Sequence, residues 1–208
     1  MCKLSLSLAA ILIAFTCSAA PLYQQLPGHS GGFVWDATLT VADDFVLGQT
    51  TLIGGFNWWG GVYGPPPQDD FTFRLYSDNG GQPGSVLADL ALGAVSKFAT
   101  GDFVNAPNLY PEYEYSFTFS TPVLAQAGVR YWVSIVNSPI NFWLWEASAS
   151  PLNPGVQRSY DSGPWQPYDY NTAFELVPVP EPDAALFAAA LGSLGLLAVQ
   201  HRKGLRRA

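Results

Sequence analysis

The stretch "EYEYSFTFS", residues 112–120, sets the strongest limit on what this chain can fold into. Tyr113, Tyr115, Phe117 and Phe119 alternate with Glu112, Glu114, Ser116 and Thr118, a period of two that puts aromatic rings on one face of a strand and polar groups on the other. A helix would scatter both sets around its axis. "DDFTFRLYSD" repeats the pattern with Phe71, Phe73 and Leu75 inward, and the "SDNGGQPG" that overlaps its end has the chemistry of a tight turn.

Further strands are predicted at "ADDFVL", "TLIGGFNWWGGVY", "GSVLADLAL", "VSKFATGDF", "VRYWVSIVNS", "NFWLWEAS" and "NTAFELV", each bounded by Gly, Pro, Asn or Asp. No amphipathic helical stretch interrupts them. Roughly eight to ten short strands in a single domain predict an all-β fold, a two-sheet antiparallel sandwich that is jelly-roll-like. Residues 33–177 are assigned to this sandwich. Residues 20–32 read as an N-terminal arm and residues 147–170 as a long surface loop, because both are rich in Pro, Gly and Ser or Asn.

The ends of the chain have a different composition. Lys3 precedes an apolar run over residues 4–15 and then the small residues 16–20, the layout of a secretory signal peptide spanning 1–19, with signal peptidase cutting before Ala20. Acylation at Cys17 is the competing reading, but Ala14, Phe15 and Thr16 fit a lipobox badly. Both cysteines, Cys2 and Cys17, fall inside this segment, so the exported chain is expected to rely on packing rather than disulfides.

At the other end, Pro178, Pro180 and Pro182 alternate with Val179 and Glu181, which predicts an extended tether over 178–183. Residues 184–199 are uncharged and mostly apolar, enough for ~24 Å of helix where a bilayer core asks for about 30 Å. A transmembrane helix over 184–200 would therefore be a marginal span. The basic tail at 201–208, with Arg202, Lys203, Arg206 and Arg207, fixes that end in the cytoplasm and leaves the sandwich outside.

Pro180, Glu181 and Pro182, the short apolar segment and the Arg-rich end together resemble the PEP-CTERM sorting signal of Gram-negative bacteria that make exopolysaccharide. The resemblance covers about the last thirty residues. It implies an exosortase-type membrane protease as partner, transient anchoring in the inner membrane, and release to the cell surface or the extracellular matrix. The "ADDF" of residues 42–45, "NWWGGVY" of 57–63, "SDNGGQPG" of 77–84 and "YWVSIVN" of 131–137 also resemble β-sandwich domains carried by such proteins. No catalytic residue comes with that likeness.

Between residues 20 and 182 only Arg74, Lys97, Arg130 and Arg158 are basic against fifteen acids, a net charge of −11. Such a surface repels phosphate backbones, which argues against nucleic-acid partners. His29 is the one histidine of this body and lies in "LPGHSGG", where it reads as a polar loop residue rather than a base. Enzymatic function is not expected.

Three site readings remain. Glu112 and Glu114 share a strand face at ~6.5 Å, as an exopolysaccharide-cleaving enzyme with paired carboxylates would need, although any alternating strand meets that spacing and outward acids are ordinarily solvated. Asp43, Asp44, Asp69, Asp70 and Asp78, with Asn79, cluster oxygen ligands suited to Ca2+, in residue types that also form turns. Trp58, Trp59, Trp143 and Trp145 offer indoles for stacking on sugar rings of an exopolysaccharide, or for filling the core. Trp58 and Trp59 point to opposite faces, so one of them is expected near solvent unless both faces are covered.

Overall fold

A computed structural model describes residues 20–35, 39–62, 69–104, 110–137, 143–150, 155–160 and 162–180. Ala20–Val179 forms one compact unit. Its strands are β1 (Tyr23–Gln25), β2 (Pro27–Trp35), β3 (Leu39–Val46), β4 (Thr51–Val62), β5 (Phe71–Asp78), β6 (Pro83–Gly93), β7 (Ser96–Val104), β8 (Tyr110–Ala125), β9 (Arg130–Asn137), β10 (Trp143–Ser148), β11 (Val156–Ser159), β12 (Gln166–Pro167) and β13 (Phe174–Pro178). The described fold is all-β, as the period-two pattern predicts, and every pairing is antiparallel.

The strands form two sheets. In the six-stranded sheet the order is β12-β11-β3-β9-β5-β6. The seven-stranded sheet is built around β4, which pairs along one edge with β8, itself flanked by β7. The other edge of β4 is shared, with β13 beside Ile53–Trp58 and β10 beside Gly60–Val62. Beyond these lie β1 against β13 and β2 against β10.

Inward-facing rings join the sheets. Phe71 meets Trp58, Tyr115 and Trp143 at ring-centre distances of 5.1, 5.0 and 5.2 Å, and Phe73 meets Phe56 and Phe119 at 5.0 and 5.1 Å. Edge-on and tilted packing of this kind adds to the burial of apolar area. A smaller cluster of Ala42, Tyr76, Trp132 and Val156, with Trp165 against it, covers part of the six-stranded sheet's outer face.

The structure departs from the sequence reading at both Pro/Gly-rich stretches. Within the arm at 20–32, β1 and the first part of β2 are strands, and within the loop at 147–170 lie the end of β10 and all of β11 and β12. These elements include four sheet edges or near-edges, where Pro and Gly are tolerated because one side of the backbone needs no partner. Among the described residues no helix is long and apolar enough to cross a membrane. The signal peptide at 1–19, Glu181 and Pro182, the span at 184–200 and the tail at 201–208 lie outside the described residues.

Candidate functional site

The outer face of the seven-stranded sheet gathers the most unusual polar groups. On β8, Tyr115 and Phe119 face the core, so Glu112 and Glu114 face out; on β10, Trp143 and Trp145 face the core, so Leu144 and Glu146 face out. Between these strands β4 places Gly61 opposite both Glu112 and Leu144. A Cβ at Gly61 would lie 3.0 Å from a Val104 methyl and 3.1 Å from the Pro111 carbonyl, so these neighbours would have to give by a few tenths of an ångström to admit one.

The neighbouring strand brings a histidine over them. Ser148 pairs with Pro27 and Glu146 with Gly32, so β2 holds extra residues against β10 and bulges. His29 sits in that bulge with φ of 52°. Its backbone N–H donates to Glu146 Oε1 at 3.0 Å, and its Nδ1 lies 3.0 Å from Glu112 Oε2 and 3.5 Å from Glu146 Oε1. On the far side, β7 also bulges, and Asp102 is placed by its N–H, which donates to Thr100 Oγ1, while the Thr100 hydroxyl donates to the Glu112 carbonyl. Ligand atoms of His29, Asp102 and Glu112 all lie within 4.8 Å of one another.

Glu112 and Glu146 are buried, at 2% and 0% exposure. The expectation of solvated outward acids fails for Glu112, because this face of the sheet is covered. Burial, then the hydrogen bond and the charge of Glu112, push the Glu146 carboxyl up to about 9, against the pull of the His29 N–H. Glu146 Oε2 is buried without a donor. Glu114 is also raised, by burial first and then by Glu175 and Glu112. The group can share a proton among its members or hold a cation.

The four candidate glycan-binding indoles require a correction. Trp58, Trp143 and Trp145 are core residues, and Trp59, on the opposite face from Trp58, is only 7% exposed. Both faces of the sheet are covered here, so none of the four offers a ring face to a sugar. Trp145 Nε1 donates instead to the Ala173 carbonyl at 3.0 Å.

Four of the five candidate calcium ligands, Asp43, Asp44, Asp69 and Asp78, have carboxylates engaged with protein donors. Asp43 accepts from the Asp44 N–H and from Thr172, Asp44 pairs with Arg130 at 3.2 Å, and Asp69 takes Lys97 at 2.7 Å and Asn137 at 3.3 Å. Asp70 donates its N–H to Asn137, and Asp78 accepts from Trp132 Nε1 and the Gly81 N–H. Among the described residues none of these aspartates joins a group of three acid or imidazole ligands.

Glu146 and Asp102 carry no motif that marks them in the sequence. The one usable signal is the Glu that follows alternating indoles in "WLWEAS", a charge on the second face of a strand with no other polar residue before it. A scan against protein-family models and searches of curated proteins and solved structures find no match for the chain.

Proposed function

We propose that this chain is an exported surface or extracellular-matrix protein, a non-enzymatic, jelly-roll-like β-sandwich delivered by a PEP-CTERM-type sorting signal. The observation that carries this reading is the ending itself: Pro180, Glu181 and Pro182, an apolar segment and a basic tail follow directly after the last strand. A compact unit that ends at Val179 with an exposed Pro180 next to it suits a tether open to a protease. The jelly-roll-like reading is supported by the order in which the chain crosses between sheets, with β3, β5, β6, β9, β11 and β12 in one and the other strands in the second.

In this reading signal peptidase removes residues 1–19, the 184–200 segment holds the chain in the inner membrane, and an exosortase-type protease releases it into an exopolysaccharide matrix. The enzyme alternative rests on Glu112 and Glu114, and burial disfavours it. Glycosidase carboxyls flank a sugar and must both reach it, whereas Glu112 is buried at 2% exposure. Replacing Pro180, Glu181 and Pro182 by Ala in the native host tests the sorting. Full-length chain should accumulate in the inner membrane, and surface protein from the unaltered chain should lack residues 184–208 by mass spectrometry. Extracellular protein that still ends at Ala208 would overturn the reading.

A further inference from the structure

The bulge of β2, the bulge of β7 and the outer faces of β8 and β10 converge on one point, although the residues they bring there are far apart in the chain. His29 lies 83 residues from Glu112 and 117 from Glu146. We propose that His29 Nδ1, Asp102, Glu112 and Glu146 form a binding site for a divalent first-row transition ion of the zinc class.

Three observations support this. The first is spacing. Tetrahedral zinc with bonds of about 2.0–2.1 Å puts neighbouring ligand atoms about 3.3 Å apart, and the 3.0 and 3.5 Å separations from His29 Nδ1 to the two glutamates bracket that value. The second is the fully buried Glu146, whose Oε1 meets the His29 backbone N–H at 3.0 Å and the His29 Nδ1 at 3.5 Å while its Oε2 finds no donor. Leaving such an oxygen unsatisfied is costly, and a cation would satisfy it. The third is charge. Three carboxyl groups surround one imidazole, and Glu114 stands close enough to Glu112 to feel its charge, so the cluster lacks positive charge.

The ligand types select the ion. Calcium and magnesium take oxygen ligands, whereas one imidazole nitrogen with carboxylate oxygens suits zinc. Asp102 is exposed, in the bulge of β7 beside Gly101 at φ of 92°, and is the group's ligand nearest solvent on that strand.

The test is zinc titration of the full-length, tag-free chain in detergent, by calorimetry and by equilibrium dialysis. One equivalent of zinc should bind, and His29→Ala and Asp102→Asn should each weaken binding at least tenfold. Asp102→Asn changes only an exposed side chain, so it should leave the melting temperature of the metal-free protein unchanged and keeps the test open if His29→Ala disturbs the fold. His201→Ala should leave binding intact. No stoichiometric zinc binding, or binding that survives Asp102→Asn and His29→Ala and is lost with His201→Ala, would overturn the site and leave a shared proton as the bond between these groups.

Discussion

Asp43 reaches across the sandwich to Thr172, and one of its carboxylate oxygens accepts from both the backbone N–H and the hydroxyl of that residue. Asp43 stands between Val41 and Phe45 on the core face of β3, while Thr172 bridges to Ala147 at the end of β10. The bond is therefore a polar tie between the two sheets, at the edge of a core of aromatic and aliphatic side chains.

That tie makes stability depend on pH in an unusual direction. Burial pushes the Asp43 carboxyl up to about 7, although its three donors pull it down. Between about pH 4 and 7 the unfolded chain has lost this proton and the folded chain retains it, so stability falls as pH rises, by about 1.4 kcal/mol per unit for the one group. The difference in unfolding free energy between wild type and Asp43→Asn, followed by urea titration at pH 4.5, 6 and 7.5, should carry that slope. Thr172→Val removes a donor that favours the charged form, and should extend the loss above pH 7 at a cost of about 1–3 kcal/mol. A difference curve flat in pH would mean that Asp43 is ionised throughout.

Gly60 is a second point where the fold admits no alternative. β4 passes so close to β10 there that an added Cβ would run into the Leu144 carbonyl and lie 2.8 Å from the Trp143 ring. Gly60→Ala should cost more than about 2 kcal/mol, since backbone and a core indole would both have to move. Gly48→Ala, with nothing within 4 Å of the new methyl, should change stability by less than about 1 kcal/mol. Similar melting temperatures for the two variants would refute this packing of β4 on β10.

Trp58 and Trp59 should behave alike although they face opposite ways. Trp58 stacks on Tyr115 at 5.5 Å and 11°, and Trp59 is nearly as inaccessible on the other face. Truncation of either to Ala should cost about 3–5 kcal/mol. A Trp59→Ala protein that melts like wild type would put this indole at the surface and restore it as a sugar-stacking candidate.

How far the sequence was readable follows from what period two can and cannot report. Alternation identifies a strand and separates its two faces, and it did so for β3 to β10 and for β13. It does not say whether the second face is covered. Trp59 and Glu112 lie on such a face, so an indole expected near solvent and an acid expected to be solvated are both buried. The candidate site was less legible still, because His29, Asp102, Glu112 and Glu146 come from four strands that only the tertiary fold aligns. Short strands at sheet edges were hidden for another reason: β1, β2, β11 and β12 draw their shape from the neighbour they pair with, in sequence whose Pro and Gly signal loops.

The N-terminal strand gives the sharpest test of that last point. Leu22 donates its N–H to the Leu176 carbonyl at 2.8 Å, and Tyr23 pairs with Leu176 in the ladder. The Tyr23 ring stacks on Phe174 at 5.5 Å and 27° and leans on Phe45 of the opposite sheet at 6.0 Å, while Gln25 is buried. An arm would contribute none of this. Tyr23→Ala should therefore lower unfolding free energy by about 2 kcal/mol or more, because it removes a ring that touches both sheets at the end of the core. Leu26→Ala, two positions past the middle of β1 and 49% exposed, is the matched control and should stay within about 0.5 kcal/mol of wild type. Equal, negligible effects at both positions would return residues 20–26 to the status of an arm and leave β13 as the edge of its sheet.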